Sequence, residues 1–217
     1  MAELAGLDDP RVRTVNEKHG DDHGVNLGKL RALAKRLKSE QELATGLWNT
    51  GDTAAQLLAI LIFRPRGLGR DELDSMLREA RVPKVHDWLV SYVVKNNPHA
   101  EELRLVWCAD PDPVVASAGW ALTTERVAKK PEGLELTELL DVIEAEMKDA
   151  PDRLQWAMNH CLAQIGIEHP EYRALALAVG ERLEVLKDYP TPRGCTSPYA
   201  PEWIGEMVRR RTDEGRA

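Results

Sequence analysis

From Val25 onward the chain is divided by turn-forming residues into short stretches. Each stretch repeats its apolar residues at helical rather than strand spacing. The stops are Gly51-Asp52, Pro65 with Gly67 and Gly69, Pro83, Asn97-Pro98, Asp110-Pro111, Pro131 with Gly133, Pro151 and His169-Pro170. They predict helices over 26–38, 40–50, 53–64, 70–80, 84–97, 99–108, 112–129, 135–148, 152–165, 169–185 and 199–211. Helices this short are marginal alone and must bury their apolar stripes against one another. Leu136, Leu139, Leu140, Ile143 and Met147 form one such stripe, whereas Ala54 to Ile62 is apolar on every side, as a helix flanked by others must be. With no strand alternation, the expected fold is all-α: a curved α-solenoid of antiparallel helical hairpins. Helix pairs can be drawn at the period of about 40 residues seen in HEAT-type repeats.

At 217 residues, with no long low-complexity linker, a single domain over 1–217 is expected. Residues 1–23 are polar and weakly periodic, and read as a leader of short helix or loop. Residues 187–217 read as a proline-rich segment that crosses other helices and ends in a C-terminal helix. Of the aromatic residues six are Trp, four Tyr and one Phe, so the core must rest on Leu, Ala, Val and Ile. Trp107 and Trp120 sit on already defined apolar faces and read as core.

The net charge of −7 argues against a protein that coats itself in nucleic acid, and any anion site must be local. One stretch qualifies. In GVNLGKLRALAKRLK, Lys29, Arg31, Lys35, Arg36 and Lys38 occur with no acidic residue before Glu40, while Leu27, Leu30, Leu33, Ala34 and Leu37 mark the buried face. Such a face either binds phosphates through Lys29, Arg31, Lys35 and Arg36 or is simply solvated.

Cys108, Cys161 and Cys195 are odd in number, widely separated and without metal-ligand spacing, so neither a disulfide framework nor a zinc module is indicated. His19, Asp21, Asp22 and His23 could ligate a metal, but a glycine-flanked polar loop explains them as well, and no metal or other cofactor is expected. Cys195, near the start of the last helix, reads as structural, and Arg209, Arg210 and Arg211 as phosphate contacts or solubilising charge. The N-terminus lacks a signal-peptide pattern, and the apolar run to Phe63 is too short to span a bilayer. A cytoplasmic protein without membrane contact is expected.

The run GVNLGKLRALAKRLK, the following LWNTG and AAQLLAILI, and the later VHDWLVSYVV, DPVVASAGWALTTERVAKK and RLQWAMNHCLAQIGI fall in the order found in the DNA alkylation repair family. Over roughly 25–185 the chain resembles these AlkD-like DNA glycosylases, which are built of HEAT-like repeats. The resemblance implies a concave face that holds duplex DNA and excises cationic N3- or N7-alkylated purines. A carboxylate would stabilise charge developing on the sugar, and aromatic faces would accept the cationic base. It places Trp88, Tyr92, Ser117, Trp156 and His160 in the lesion-facing groove.

At those positions the chain departs from the pattern. Catalytic members follow a Trp with Asp four residues later, where this chain has Trp88 and then Tyr92. Asp87 is a poor substitute because a helix turns about 100° per residue. Ser117 stands where the family tends to place a phosphate-facing Arg, and His160 and Ala163 stand where it has Trp and Arg, with Trp156 one turn earlier. The catalytic residue is therefore unassigned, with Asp110, Asp112 or Glu125 as other carboxylates that could reach a groove. The alternative function is a noncatalytic helical scaffold binding protein or peptide.

Overall fold

Side-chain caps start several helices close to their expected positions. Asn26 accepts hydrogen bonds from the backbone N–H groups of Gly28 and Lys29 at 2.9 and 3.3 Å, opening α3 (Leu27–Leu37). Asp52 accepts from Ala55 N–H at 2.8 Å and opens α5 (Thr53–Ile62); Asp112 accepts from Val114 N–H at 2.8 Å and opens α9 (Pro113–Lys129). The computed structural model describes residues 1–214, and among them there are thirteen α-helices and no strand, only an isolated bridge between Asp8 and Val25. No helix among the described residues is long and apolar enough to cross a membrane.

The backbone separates into two units, Met1–Leu103 and the chain from Arg104 onward. The first holds α1 (Ala2–Ala5), α2 (Pro10–Glu17), α3, α4 (Gln41–Trp48), α5, α6 (Arg70–Glu79) and α7 (Pro83–Trp88). Its centre is α5, which packs against α3, α4 and α7, and whose Leu57, Leu58, Ile60 and Ile62 are buried as an all-apolar helix requires. Buried Asn97 ties the loops together. Its Nδ2 donates to the carbonyls of Pro65 and Leu68 at 2.6 and 2.9 Å, and its Oδ1 accepts from His99 N–H.

One expectation is filled in and another corrected in this unit. The leader carries two helices and contributes buried Leu4, Asp21 and His23, because Asp21 finds Lys84 at 2.8 Å and His23 Nδ1 accepts from Val25 N–H at 3.2 Å. The helix expected over 84–97 is not continuous. After α7 comes a π turn over Leu89–Val93 and a 3₁₀ turn over Val94–Asn96. Val90, Val93 and Val94 are all buried, and their branched side chains would crowd one another at i,i+3 and i,i+4 spacing in a regular α-helix.

The helix α8 (Ala100–Cys108) crosses the boundary between the units. The second unit then holds α9, α10 (Leu136–Glu146), α11 (Asp152–Glu168), α12 (Arg173–Leu183) and α13 (Ala200–Glu214). The stripe foreseen on α10 is in the core, with Leu140, Ile143 and Met147 inaccessible and Leu139 partly covered. Trp107 and Trp120 are core residues. Helix α11 packs on α9, α12 and α13, and Gly166 lets it approach closely: a Cβ there would lie 2.5 Å from Ile204 Cδ1.

Candidate nucleic-acid interface

On α3 the sequence divides as its period requires. Leu30, Leu33 and Ala34 are buried, and Lys29, Arg31, Lys35, Arg36 and Lys38 are exposed. Arg36 pairs with Glu3, whereas Lys29, Lys35, Lys38 and Arg31 have no carboxylate partner among the described residues. Arg31 is nevertheless positioned. Its guanidinium carbon lies 4.8 Å from the centroid of the Trp88 ring, and its Nη2 donates to the Tyr92 hydroxyl at a long 3.4 Å. Trp88 and Tyr92 lie 5.2 Å apart across the start of the π turn, with their planes tilted by 49°. The expected aromatic pair is thus joined to the expected basic helix, and the joining residue is Arg31. No signal in the sequence announced that contact.

The other sequence-derived residues lie in the second unit. Ser117 is buried; its hydroxyl donates to the Val114 carbonyl at 2.6 Å and accepts from Arg153 Nε at 3.2 Å. Where the resemblance led one to look for an arginine, the serine thus receives a guanidinium from α11. Arg153, Trp156 and His160 recur at i, i+3 and i+7, so they share one face of that helix. Two of the three meet aromatic rings of the C-terminal segment. Trp156 meets Tyr189 edge to face at 5.2 Å, and His160 lies flat on Trp203 at 5.1 Å and 16°. The i, i+4 spacing of Trp156 and His160 was visible in the sequence; the ring partners, on segments far along the chain, were not.

The carboxylates considered as substitutes are engaged elsewhere. Asp110 accepts from Asp112 N–H, Asp112 caps α9, and Glu125 pairs with Lys129 at 2.7 Å. Asp87 is exposed, with Oδ1 3.5 Å from His86 Nδ1. The described residues contain no grouping of three or more His, Cys, Asp or Glu able to hold a metal ion. Burial pushes the Cys161 thiol up to about 12, so it is a packing group rather than a nucleophile.

Desolvation holds the His160 pKa below its ordinary 6.5, and burial does the same for His23 against an opposing pull from Asp21. Both rings are therefore favoured neutral in the fold, and the unfolded chain takes up their protons at higher pH. Stability contributed this way is complete above about pH 6.5 and is lost as pH falls from there through the folded-state values. We expect His160→Phe, which keeps a flat ring but cannot titrate, to narrow the gap between melting temperatures at pH 5 and pH 8. An unchanged gap would show that His160 does not contribute.

A family model described as DNA alkylation repair enzyme matches residues 1–204. The chain belongs to the DNA alkylation repair family. A solved structure of a protein described as belonging to "a new family of proteins related to the HEAT-like repeat DNA glycosylases with affinity for branched DNA structures" is similar in fold. It aligns at a TM-score of 0.81 with 23% identity, covering 97% of this chain and 93% of that one. No curated protein matches the sequence. This member of the family thus has a HEAT-like repeat fold, with aromatic pairs at Trp88–Tyr92 and Trp156–Tyr189.

Proposed function

We propose that this protein binds DNA, engaging the phosphate backbone through α3, and that branched DNA is its preferred form. One observation carries the reading: exposed cations on and beside α3 without carboxylate partners, with Arg31 held against Trp88 and Tyr92, on a chain whose net charge is −7. Phosphate binding releases condensed counterions, and a positioned arginine loses less freedom on binding than a mobile one. Membership of the family supports DNA binding, and the affinity stated for the structural neighbour supports the preference for branched DNA.

Excision of an alkylated base is a second activity that the family description supports. It needs a carboxylate beside the sugar, and at the position where the resemblance expects one stands Tyr92, whose hydroxyl receives Arg31. Binding without excision is the form of the function that these residues favour. Release of 7-methylguanine from alkylated duplex above spontaneous depurination would overturn that restriction.

The test is fluorescence anisotropy with a three-way junction and a linear duplex of the same length across a salt series. Wild-type affinity should fall linearly with the logarithm of salt and favour the junction. Arg31→Ala should weaken both by about 1–2 kcal/mol, roughly five- to thirtyfold, and reduce the salt slope by about one. Binding that is undetectable or indifferent to salt would sink the proposal. A protein partner captured after nuclease treatment would then favour a helical scaffold.

A further inference from the structure

On the second unit, Trp156 and Tyr189 meet in solvent. Their planes are perpendicular, at 88°, and their side chains retain 38% and 49% of their accessible surface. Rings that served only the core would be covered; these form an open corner that a flat molecule can enter, lying on one ring and meeting the other.

The backbone that presents Tyr189 is strained. Glu184 and Leu186 both adopt left-handed conformations, with φ of 53° and 61°, although neither is glycine. Such residues are costly and persist where surrounding contacts over-determine them. Val185 is buried and Leu186 packs on the core of this unit, which anchors the turn. From that anchor Tyr189 N–H donates to the Leu186 carbonyl at 3.2 Å, and the Tyr189 carbonyl accepts from Thr191 Oγ1 at 3.1 Å. Pro190 and Pro192 restrict the chain that follows. Further on, Pro198 accepts from Asn159 Nδ2 at 2.8 Å, and Arg211 makes a two-point pair with Glu168 at 2.6 and 2.9 Å. The segment is thus fastened to α11 on either side of His160, and an exposed tyrosine is held beside an exposed tryptophan with little freedom left to lose.

The DNA-binding reading narrows the ligand. Every nucleobase has a flat π-face, so an exposed aromatic corner suits a base that is free of its own stack. Paired bases are stacked on both sides within the duplex and cannot lie against a protein ring, whereas a base at a strand branch is already unstacked.

We propose that Trp156 and Tyr189 form a stacking site for one unpaired nucleobase at the branch point of a DNA junction. The inference rests on the DNA-binding reading above and deepens it: α3 supplies affinity for any duplex, and the aromatic corner supplies the preference for a branch.

The experiment places 2-aminopurine as an unpaired base at the branch of a three-way junction and measures its fluorescence with the full chain, alongside affinities for the junction and for linear duplex. Wild type should quench the probe. Trp156→Ala and Tyr189→Ala should lose the quenching and lower junction affinity roughly five- to a hundredfold, leaving linear-duplex affinity within about twofold. Trp156→Phe should retain most of both. An abasic site at the branch should reproduce the loss with wild-type protein, which makes the test independent of any effect of the substitutions on folding. Unchanged quenching and unchanged junction preference in the alanine variants, or indifference to the abasic site, would overturn the stacking site and leave backbone binding by α3 intact. If wild type binds neither DNA, the DNA-binding reading falls and the stacking site falls with it.

Discussion

Replacing Trp107 by alanine should destabilise the second unit by about 3–5 kcal/mol, read as a lower midpoint in urea denaturation. Trp107 has no accessible surface, and α9 passes close to the end of α8 beside it. The measure of that approach is Gly119. A Cβ placed there would lie 2.4 Å from the backbone nitrogen of Cys108 and 2.8 Å from the carbonyl carbon of Trp107. Backbone atoms cannot swing away as a side-chain tip can, so Gly119→Ala should cost about 1–3 kcal/mol by overpacking. The same one-methyl insertion at Gly166 meets side-chain rather than backbone atoms, Ile204 Cδ1 and Cγ1 at 2.5 and 2.9 Å and Ala176 Cβ at 3.3 Å, and should cost less. Equal losses at the two glycines would refute the claim that the α8–α9 contact is set by backbone approach.

Replacing Lys84 by methionine should cost the first unit about 3 kcal/mol. Asp21 is 2% exposed, one carboxylate oxygen lies 2.8 Å from Lys84 Nζ, and the other has no hydrogen-bond partner. Removing the ammonium strands a buried charge, which costs more than the intact pair contributes. Lys84 is itself partly solvated, which places the expected loss at the lower end of the range for buried pairs. Asp21→Leu combined with Lys84→Met removes both charges and should recover most of the loss, giving a strong coupling in a double-mutant cycle. Simple additivity of the two substitutions would show that the ion pair is not what holds the leader in place.

Most helices from α3 onward were legible from the sequence to within two residues, and the ends of α11, α12 and α13 to within four, because their signals are local. Asn26, Asp52 and Asp112 cap from within a few positions of the turns they close, and the apolar stripes of α3 and α10 declare their buried faces through a period that any helix must obey. The leader was less legible, because its polar residues are buried through Lys84, which lies far along the chain. The break at Leu89–Val93 was missed for a related reason. Adjacent valines permit a helix by pattern, and only their simultaneous burial makes the crowding matter.

The candidate site divides along the same line. That α3 is cationic on one face, and that Trp88 and Tyr92 are neighbours, follows from spacing alone. That Arg31 stands over Trp88 and reaches Tyr92, 61 positions away, does not, since periodicity reports which face a side chain occupies but never which other helix it will meet. Likewise the sequence by itself determined that Trp156 and His160 share a face of α11. Only the tertiary structure decided that Tyr189 and Trp203 would meet those residues and that Arg153 would donate to Ser117. The physical reason is the range of the forces involved. Hydrogen bonding and steric exclusion within a helix act over about four residues and are written in adjacent letters, whereas ring stacking and charge placement depend on where packing brings distant segments to rest.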